Sequence, residues 1–321
     1  MMTINIAVLM DDISKINPQK DSSLALMLAA QNRGWQVWTF DSADIFADSN
    51  GIFANAAKTI TTENSQNYYQ KSASQIINFS QFDLVLMRKN PPFDMNYIYA
   101  TYLLELAEKQ GVLVVNKPQS LRDFNEKVSI LNFPKCIPNT LVSADETAIL
   151  AFLQRLKTIV IKPLDGMGGE DIFKLSATEP DHARMQICQL TDDFSTPIMA
   201  QKFIPEIAQG DKRILIINGE PIAFALNRIP AKGNWKGNLA QGASGVAQPL
   251  SQRDIWLCAQ IAPTLKAKGL LFVGLDVIGD FITEINITSP TGIVELAAQS
   301  ELKPAEKLLD TLEKKLLSTT I

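Results

Sequence analysis

The stretch Leu275–Pro290 constrains the fold of this chain more than any other, because it consists of two short apolar runs joined by a tight turn. Such a pattern predicts a β-hairpin. A two-residue turn would place Asp276 on the face away from Glu284, whereas a three-residue loop, Gly279-Asp280-Phe281, would set the two carboxylates directly opposite each other. The longer loop also collects apolar side chains on the other face: Val273, Leu275, Val277, Ile285 and Ile287. A one-residue slip would exchange the faces, so we predict the longer loop.

The predicted hairpin carries oxygen-bearing side chains on one face, namely those of Asp276, Glu284 and Asn286. Carboxylate and amide oxygens suit Mg²⁺ that holds nucleotide phosphates. An ordinary hairpin whose acids face solvent has the same pattern. The rest of the chain therefore has to distinguish a metal site from a surface turn.

Composition limits the class of protein. With 321 residues, of which 46% are hydrophobic and 20% charged, the chain has the composition of a soluble globular protein of two or three domains. Its net charge of −4 gives no overall cationic field, which argues against a nucleic-acid partner. No apolar run reaches the roughly 18–20 residues of a membrane span, and the amino-terminal run predicts a strand and not a signal peptide. Three scattered cysteines without a CxxC pair indicate a reduced, cytoplasmic setting.

A catalytic mechanism based on histidine is not expected, because the chain contains one histidine, His182, which lies in a polar stretch. The surrounding residues support neither a Ser-His-Asp or Cys-His arrangement nor a histidine metal site. Any catalysis is therefore expected to depend on lysines, arginines, carboxylates, backbone N–H groups and a metal.

The order of apolar and helical segments predicts an α/β domain with a parallel sheet over residues 1–122. Within it, residues 41–78 are polar and are expected to be irregular, apart from a hairpin near Asn50-Gly51. Residues 123–200 have the spacing of a small α+β unit. Residues 201–321 predict a further α+β domain, which contains the hairpin and a long polar loop at 229–247.

The segment Ile159–Gly169 leads from a strand that carries Lys162 into a loop with Gly166, Gly168 and Gly169. Glycines let backbone N–H groups turn toward a phosphate, and a neighbouring lysine supplies a fixed cation. The segment matches neither the P-loop nor the dinucleotide-binding fingerprint. A surface hairpin that uses glycine only for its turn fits the segment equally well.

Further cations lie at the ends of predicted elements, at Lys127, Arg213 and Arg228, and each alone would be an ordinary surface charge. Residues 229–247, here named the lid loop, are long, polar and contain glycine, as do loops that close over active sites. A disordered linker has the same composition.

The longer motifs resemble a known family. Lys127 in NKPQSLRDFNEK, Lys162 in IKPLDGMGG, the segment Gly210–Arg213 and the hairpin acids follow the pattern of ATP-grasp ligases. More specifically, KDSS at residues 20–23, MRKNPPFDMNYIYATYLLE at 87–105 and VGLDVIGDFITEINITSPTG at 273–292 are similar to prokaryotic glutathione synthetases. The resemblance runs almost from end to end.

Two departures from the family pattern lie in the lid loop, where Lys236 replaces an arginine and Gly242-Ala243 replaces a Gly-Gly pair. Lysine lacks the bidentate fork of arginine, so these departures bear on lid closure and not on the reaction class.

The resemblance implies an ATP-grasp fold of mixed α/β and α+β type, with residues 1–122 as the pre-ATP-grasp domain, 123–200 as the small lid domain and 201–321 as the C-terminal ATP-grasp domain. It implies a cytoplasmic ligase that uses ATP to join γ-glutamylcysteine to glycine through an acyl phosphate and so forms glutathione. It further implies two Mg²⁺ or Mn²⁺ ions with ATP, a homotetramer, and neither nucleic acid nor membrane as a partner.

The resemblance also assigns roles to the candidate residues. ATP would be bound by Lys127, Lys162, Gly168, Gly169, Gln201, Lys202, Phe203, Ile204 and Asp211. The metal ions would be held by Asp276, Glu284 and Asn286, and charge on the intermediate would be stabilised by Arg213 and Arg228. The peptide substrates would be bound by Asp11, Ser23, Ser289 and Thr291, and the lid loop would act through Gly233, Lys236, Gly237, Asn238 and Gly242.

Two alternatives stay open at this point. A different ATP-grasp ligase, such as a D-alanine ligase, would use another carboxylate or amine. A non-catalytic module would bind ATP without releasing ADP.

Overall fold

Three β-sheets follow one another along the chain in a computed structural model that describes residues 3–166, 168–169, 171–237 and 242–319. The amino-terminal sheet contains β1 (Asn5–Leu9), β2 (Gln36–Phe40), β3 (Ile45–Asp48), β4 (Gly51–Thr61), β5 (Tyr69–Lys71), β6 (Gln75–Asn78), β7 (Leu84–Met87) and β8 (Leu113–Val115). The helices of this part are α1 (Ser22–Asn32), α2 (Met95–Lys109) and α3 (Pro118–Asp123).

The centre of the amino-terminal sheet is parallel, as predicted. β2, β1, β7 and β8 lie side by side in this order and pair in parallel. Alternate residues of β1 and β7 belong to two apolar cores, one shared with α2 and the other with α1. Both faces of these strands are therefore buried, which explains why their sequences are continuous apolar runs.

The prediction of irregular structure for residues 41–78 was wrong. This segment forms β3, β4, β5 and β6, which extend the sheet by antiparallel pairing. The buried positions of β4 are filled largely by small side chains, such as those of Ala54 and Ala56, which give a weak strand signal. The hairpin near Asn50-Gly51 is confirmed, because Asp48 pairs with Gly51 across a two-residue turn.

The middle sheet belongs to the expected small α+β unit. It contains β9 (Thr140–Ser143), β10 (Thr158–Pro163), β11 (Phe173–Ser176) and β12 (Ile198–Lys202), in the antiparallel order β11-β10-β12-β9. The helices α4 (Glu146–Leu156) and α5 (Pro180–Leu190) pack against it and enclose a separate core that includes Leu153, Ile161 and Ile187. This unit therefore buries its own apolar face and presents β10 and β12 to the rest of the chain.

The carboxyl-terminal sheet is antiparallel throughout, in the order β15-β14-β13-β16-β17. Its strands are β13 (Asp211–Ile217), β14 (Glu220–Ile229), β15 (Ser244–Pro249), β16 (Phe272–Ile278) and β17 (Phe281–Asn286). The helices are α6 (Gln252–Ala267), α7 (Ile293–Gln299) and α8 (Pro304–Thr319). Within the described residues, no helix is long and apolar enough to cross a membrane.

The hairpin of β16 and β17 combines the two registers considered above. Asp276 lies opposite Glu284, as predicted, but Ile278 pairs with Phe281, so the turn has two residues and the predicted three-residue loop was wrong. A β-bulge at Thr283 supplies the extra residue that reconciles the two. Because of the bulge, both Ile282 and Ile285 reach the core although an odd number of steps separates them.

Asn116, at the end of β8, joins the amino-terminal sheet to the hairpin. Its Nδ2 donates to the carbonyl oxygens of Phe272 and Ile287, each at 2.7 Å, and its Oδ1 accepts from the Phe272 N–H at 2.9 Å. The side chain is buried, so these backbone groups have no access to bulk water. The position of the hairpin relative to the first sheet therefore depends on this one amide.

Replacing Asn116 with alanine should lower the free energy of unfolding by about 2–4 kcal/mol, because it leaves buried backbone groups without partners. Urea denaturation followed by circular dichroism measures this. The matched control is Asn132→Ala, since Asn132 is exposed and donates locally to the Ser129 carbonyl. Equal stability of the two variants would mean that water replaces the Asn116 amide.

Candidate active site

A cleft between the middle and carboxyl-terminal sheets brings together most of the predicted site residues. Its empty volume is about 1020 Å³, including the solvent at its mouth. All nine residues expected to bind ATP line it, as do the three expected metal ligands, Arg213, Lys236 and Gly237. Arg228 does not line the cleft itself but pairs with Asp211 and Asp276, which do. Asn238 lies outside the described residues.

Buried cations dominate the electrostatics of the molecule. Within the described part of the chain five are buried: Arg88, Lys127, Lys162, Arg213 and Arg228. Three of them pair with carboxylates, Lys127 with Glu284 at 3.0 Å and the two arginines of the carboxyl-terminal sheet with Asp276. Lys162 and Arg88 have no carboxylate partner among the described residues. An unpaired buried charge is costly, so these two cations mark places where an anionic ligand would stabilise the structure.

Lys162 projects from β10 toward the hairpin, where its Nζ donates to the Thr283 carbonyl at 3.0 Å. Burial lowers the pKa of Lys162, although the charge of Glu284 opposes the shift. The acceptor is the bulged residue of β17, so the same irregularity that aligns Asp276 with Glu284 also anchors this lysine.

Asp276 is held between two guanidinium groups. Arg213 binds it through Nε at 2.5 Å and Nη2 at 3.0 Å, and Arg228 adds Nη2 at 3.0 Å. Burial opposes ionisation, but the two arginines outweigh it and hold the pKa of Asp276 well below its usual range. A carboxylate offers about four acceptor positions. Arg213 fills two of them by hydrogen bonds and the Arg228 Nη2 lies beside a third as an ion-pair contact, so Asp276 can accept one more bond.

Asp211 shares Arg228 with Asp276, through an Oδ2–Nη2 contact of 2.6 Å. Burial raises the pKa of Asp211 to about 6, because Arg228 only partly offsets the loss of water. Its Oδ1 is buried without a hydrogen-bond donor among the described residues. That oxygen is therefore free to accept from a ligand hydroxyl.

The glycine turn after β10 is bound by two lysines. The Nζ of Lys127 donates to the Gly166 carbonyl at 2.7 Å, and that of Lys236 donates to the Gly169 carbonyl at 3.0 Å. Gly168 and Gly169 have φ values of 68° and 82°, a backbone region that favours glycine. The contact of Lys236 connects the lid loop directly to this turn.

The described part of the lid loop lies over the cleft. Trp235 packs edge-on against Phe203, with ring centroids 6.3 Å apart. The Nζ of Lys174, on β11, lies 3.9 Å from the centroid of the same Phe203 ring. A Cβ added to Gly237 would come within 2.7 Å of the Asp211 Cβ, so the loop backbone touches the cleft floor. Gly233 and Gly242 do not line the cleft and have no atoms within 4 Å of an added Cβ.

The three expected metal ligands share one face of the hairpin. Asp276 is opposite Glu284, and Asn286 is opposite Gly274, to whose carbonyl its Nδ2 donates at 3.2 Å. The amide oxygen of Asn286 is thus left as a ligand atom, beside one free position on Asp276 and the carboxylate of Glu284. No cluster of three His, Cys, Asp or Glu residues suited to a metal occurs among the described residues, so any site here includes the asparagine. An oxygen-only donor set fits Mg²⁺ or Mn²⁺.

A second, smaller cleft holds the four residues assigned to the peptide substrates: Asp11, Ser23, Ser289 and Thr291. It lies at the carboxyl ends of β1 and β7, the edge at which open α/β sheets bind ligands. One hydrogen bond links the two clefts: Arg213 lines the larger one, and its Nη1 donates at 3.4 Å to the carbonyl of Thr291, which lines the smaller one.

Three cleft residues were missed by the analysis of the sequence, namely Glu126, Trp235 and Arg88. Glu126 is half-buried, and its Oε1 accepts from the Ile287 and Thr288 N–H groups at 2.7 and 2.9 Å. Burial raises the pKa of Glu126, and the charge of Glu284 adds to the rise. The position of Arg88 directly after a parallel strand was an available signal.

Comparisons with known proteins agree with this geometry. The family model for "Prokaryotic glutathione synthetase, N-terminal domain" matches residues 4–122, and that for "Prokaryotic glutathione synthetase, ATP-grasp domain" matches residues 126–301. The chain is 49% identical over 315 residues to a glutathione synthetase of Vibrio vulnificus (strain YJ016), covering 98% of this chain and 99% of the relative. It is 47% identical over 319 residues to that of Coxiella burnetii, covering 99% of each.

Solved structures show the same fold at low identity. D-cycloserine synthetase DcsG superposes with a TM-score of 0.69 at 14% identity, covering 97% of this chain and 99% of that one. D-alanyl-alanine synthetase A from Vibrio cholerae superposes with a TM-score of 0.61 at 15% identity, covering 99% and 100%. The ATP-grasp fold is thereby confirmed, and the matches along the sequence show that the chain belongs to the prokaryotic glutathione synthetase family of ATP-dependent ligases.

Proposed function

We propose that this chain joins γ-glutamylcysteine to glycine, with conversion of ATP to ADP and phosphate, through an acyl phosphate. The observation that carries the proposal is the hydrogen bond from Arg213, which lines the larger cleft, to the carbonyl of Thr291, which lines the smaller one. On one side lie Lys162 and the metal-ligand face, and on the other lies the pocket of Ser23 and Thr291. A phosphoryl donor and a carboxylate acceptor would thus be adjacent beside Arg213.

ATP lies in the larger cleft in this proposal. Its phosphates are bound by Lys127, Lys162 and the backbone of the glycine turn, and Gln201–Ile204 borders the adenine. Asp211 accepts a ribose hydroxyl at the oxygen that lacks a donor. Binding of phosphate would also supply the counter-charge that Lys162 lacks.

Asp276, Glu284 and Asn286 would hold the divalent ions, for which we propose Mg²⁺, with Mn²⁺ as a substitute. Ions held there would supply positive charge that offsets the negative charge of the transferred group. The chain fixes the ligands beforehand, since Asp276 is oriented by two arginines and Glu284 by Lys127.

The chain's own groups then direct the reaction. An oxygen of the dipeptide's cysteinyl carboxylate attacks the γ-phosphorus, and the bond to ADP breaks. Arg213 and Arg228 stabilise the charge on the acyl phosphate, and the glycine amine attacks its carbonyl carbon and releases phosphate. Removal of one such charge stabiliser typically costs about 10²–10³ in rate. This chemistry needs positioning more than a strong base, in keeping with a chain that has one histidine.

The same proposal divides the chain at residues 122 and 200, although β12 (Ile198–Lys202) crosses the second boundary, so the middle sheet extends to Lys202. It also places the enzyme in the cytoplasm, where its three free cysteines stay reduced. Self-association into a homotetramer is supported by exposed apolar side chains at helical spacing on α2: Met95, Tyr99, Tyr102 and Leu106. Light scattering would test it, with a mass near four times 35.4 kDa expected and a monomer contradicting it.

The direct test measures the release of ADP from ATP by the purified chain. The assay contains Mg²⁺, γ-glutamylcysteine and glycine, and each of these is omitted in turn. Full turnover should require all of them, and glutathione should accumulate in equal amount with ADP. Turnover with D-alanine instead would indicate another ATP-grasp ligase, and nucleotide binding without ADP release would indicate a non-catalytic module.

Changing Glu284 to glutamine keeps the shape of a metal ligand but removes its charge. We expect kcat to fall about 10²-fold and the Mg²⁺ concentration at half-maximal activity to rise at least about tenfold. Activity titrated against Mg²⁺ measures both. The control is Glu220→Gln, an exposed glutamate at the start of β14. A wild-type Mg²⁺ response in the Glu284 variant would remove this residue from the metal site.

Changing Gly237 to alanine should prevent the lid loop from closing on Asp211, because the new methyl group would lie 2.7 Å from the Asp211 Cβ and 3.1 Å from the Arg228 carbonyl oxygen. The expected result is a rise of about tenfold in KM for ATP. Lys232→Ala is the matched control in the same loop, since Lys232 is exposed. Equal KM values for the two variants would contradict closure by this segment.

A further inference from the structure

The second cleft carries charges of both signs. Asp11 and Asp21 line it together with Lys20 and Arg88, around an empty volume of about 520 Å³ that includes the solvent at its mouth. Asp11 is already engaged, because its Oδ1 pairs with the Lys89 Nζ at 2.7 Å and its Oδ2 accepts from the Asn90 N–H at 3.3 Å. Asp21 accepts from the Leu24 N–H through Oδ1 and keeps Oδ2 for a ligand. A cleft of this kind suits a ligand that is itself a zwitterion.

Arg88 is the least satisfied charge in this cleft. It is 4% exposed, and its Nε and Nη2 donate to the Ser23 hydroxyl and the Pro290 carbonyl, each at 3.0 Å. Nη1 has no acceptor within the described residues, and no carboxylate there pairs with the guanidinium. Burial lowers the pKa of Arg88 to about 10, which still leaves it charged near neutral pH. The anchors therefore fix the side chain in place without neutralising it.

The position of Arg88 relative to Arg213 sets the length of the ligand. Arg88 binds the carbonyl of Pro290, and Arg213 binds that of Thr291, so the two guanidiniums are attached to neighbouring peptide units. A ligand with a carboxylate at each end could contact both. One carboxylate would lie beside the transferred phosphoryl group, and the other would lie in the mixed-charge cleft.

We propose that Arg88 determines specificity for a γ-linked glutamyl group by binding its α-carboxylate, while Asp21 attracts the α-ammonium group through its Oδ2. This inference rests on the function proposed above. A γ-glutamyl group presents a free ammonium and a free carboxylate on one carbon. In an α-linked glutamyl group the α-carboxyl is consumed by the peptide bond, so the linkage itself would be recognised.

The test compares two substrates in two enzymes. The substrates are γ-glutamylcysteine and 4-aminobutanoylcysteine, which is the same dipeptide without its α-carboxylate. Wild-type enzyme should prefer the first by about 10²-fold in kcat/KM. Arg88→Met should lose about the same factor on γ-glutamylcysteine and discriminate between the two substrates by no more than about threefold. Arg155→Met, which changes an exposed arginine on α4, should keep the wild-type preference.

A purely structural role for Arg88 predicts a different result. The variant would then be slower on both substrates and would keep the preference of about 10²-fold, which would overturn the inference. Should Arg88→Met fail to fold, Arg88→Lys is the second variant, with a smaller preference expected and an unchanged one contradicting the proposal. Equal use of both substrates by the wild type would refute the inference alone, whereas no turnover of either dipeptide would refute the proposed function.

Discussion

The ion cluster around Asp276 is the interaction on which the rest of the site depends. One carboxylate on β16 orients Arg213 on β13 and Arg228 on β14, so that three adjacent strands carry their charges in a fixed arrangement. Removing one partner of such a cluster would leave the others buried and unpaired. The arrangement also leaves one acceptor position on Asp276, which limits how it can contribute to a metal site.

Charge compensation explains where the ligands belong. Lys127, Arg213 and Arg228 have protein carboxylates beside them, and so the cluster is stable without a ligand. Lys162 and Arg88 are buried and lack such partners among the described residues. Each lies in a different cleft, and the hydrogen bond from Arg213 to the Thr291 carbonyl links the two clefts. We therefore propose the two uncompensated charges as a phosphate site and a carboxylate site.

The sequence allowed much of this to be predicted. The apolar runs of the parallel strands, the small α+β unit and the alignment of Asp276 with Glu284 follow from periodicity and from the need to keep carboxylates out of the core. The bulge at Thr283 could not be predicted, because a threonine fits either register and only the packing of Ile282 and Ile285 together demands the extra residue. The longest strand within residues 41–78, β4, escaped prediction because small side chains such as those of Ala54 and Ala56 fill most of its buried positions.

The sequence does not show which charged side chains are buried. Arg88 and Lys162 cannot be told from surface cations by residue type, because their burial depends on elements distant along the chain. These elements are the turn at Pro290 for Arg88 and the bulge at Thr283 for Lys162.

The most direct measurement is a crystal structure with ADP, Mg²⁺ and glutathione bound. The account predicts a phosphate oxygen within about 3.2 Å of the Lys162 Nζ and the glutamyl α-carboxylate within the same distance of the Arg88 guanidinium. Bound ligands that leave both cations in contact with protein atoms alone would contradict it.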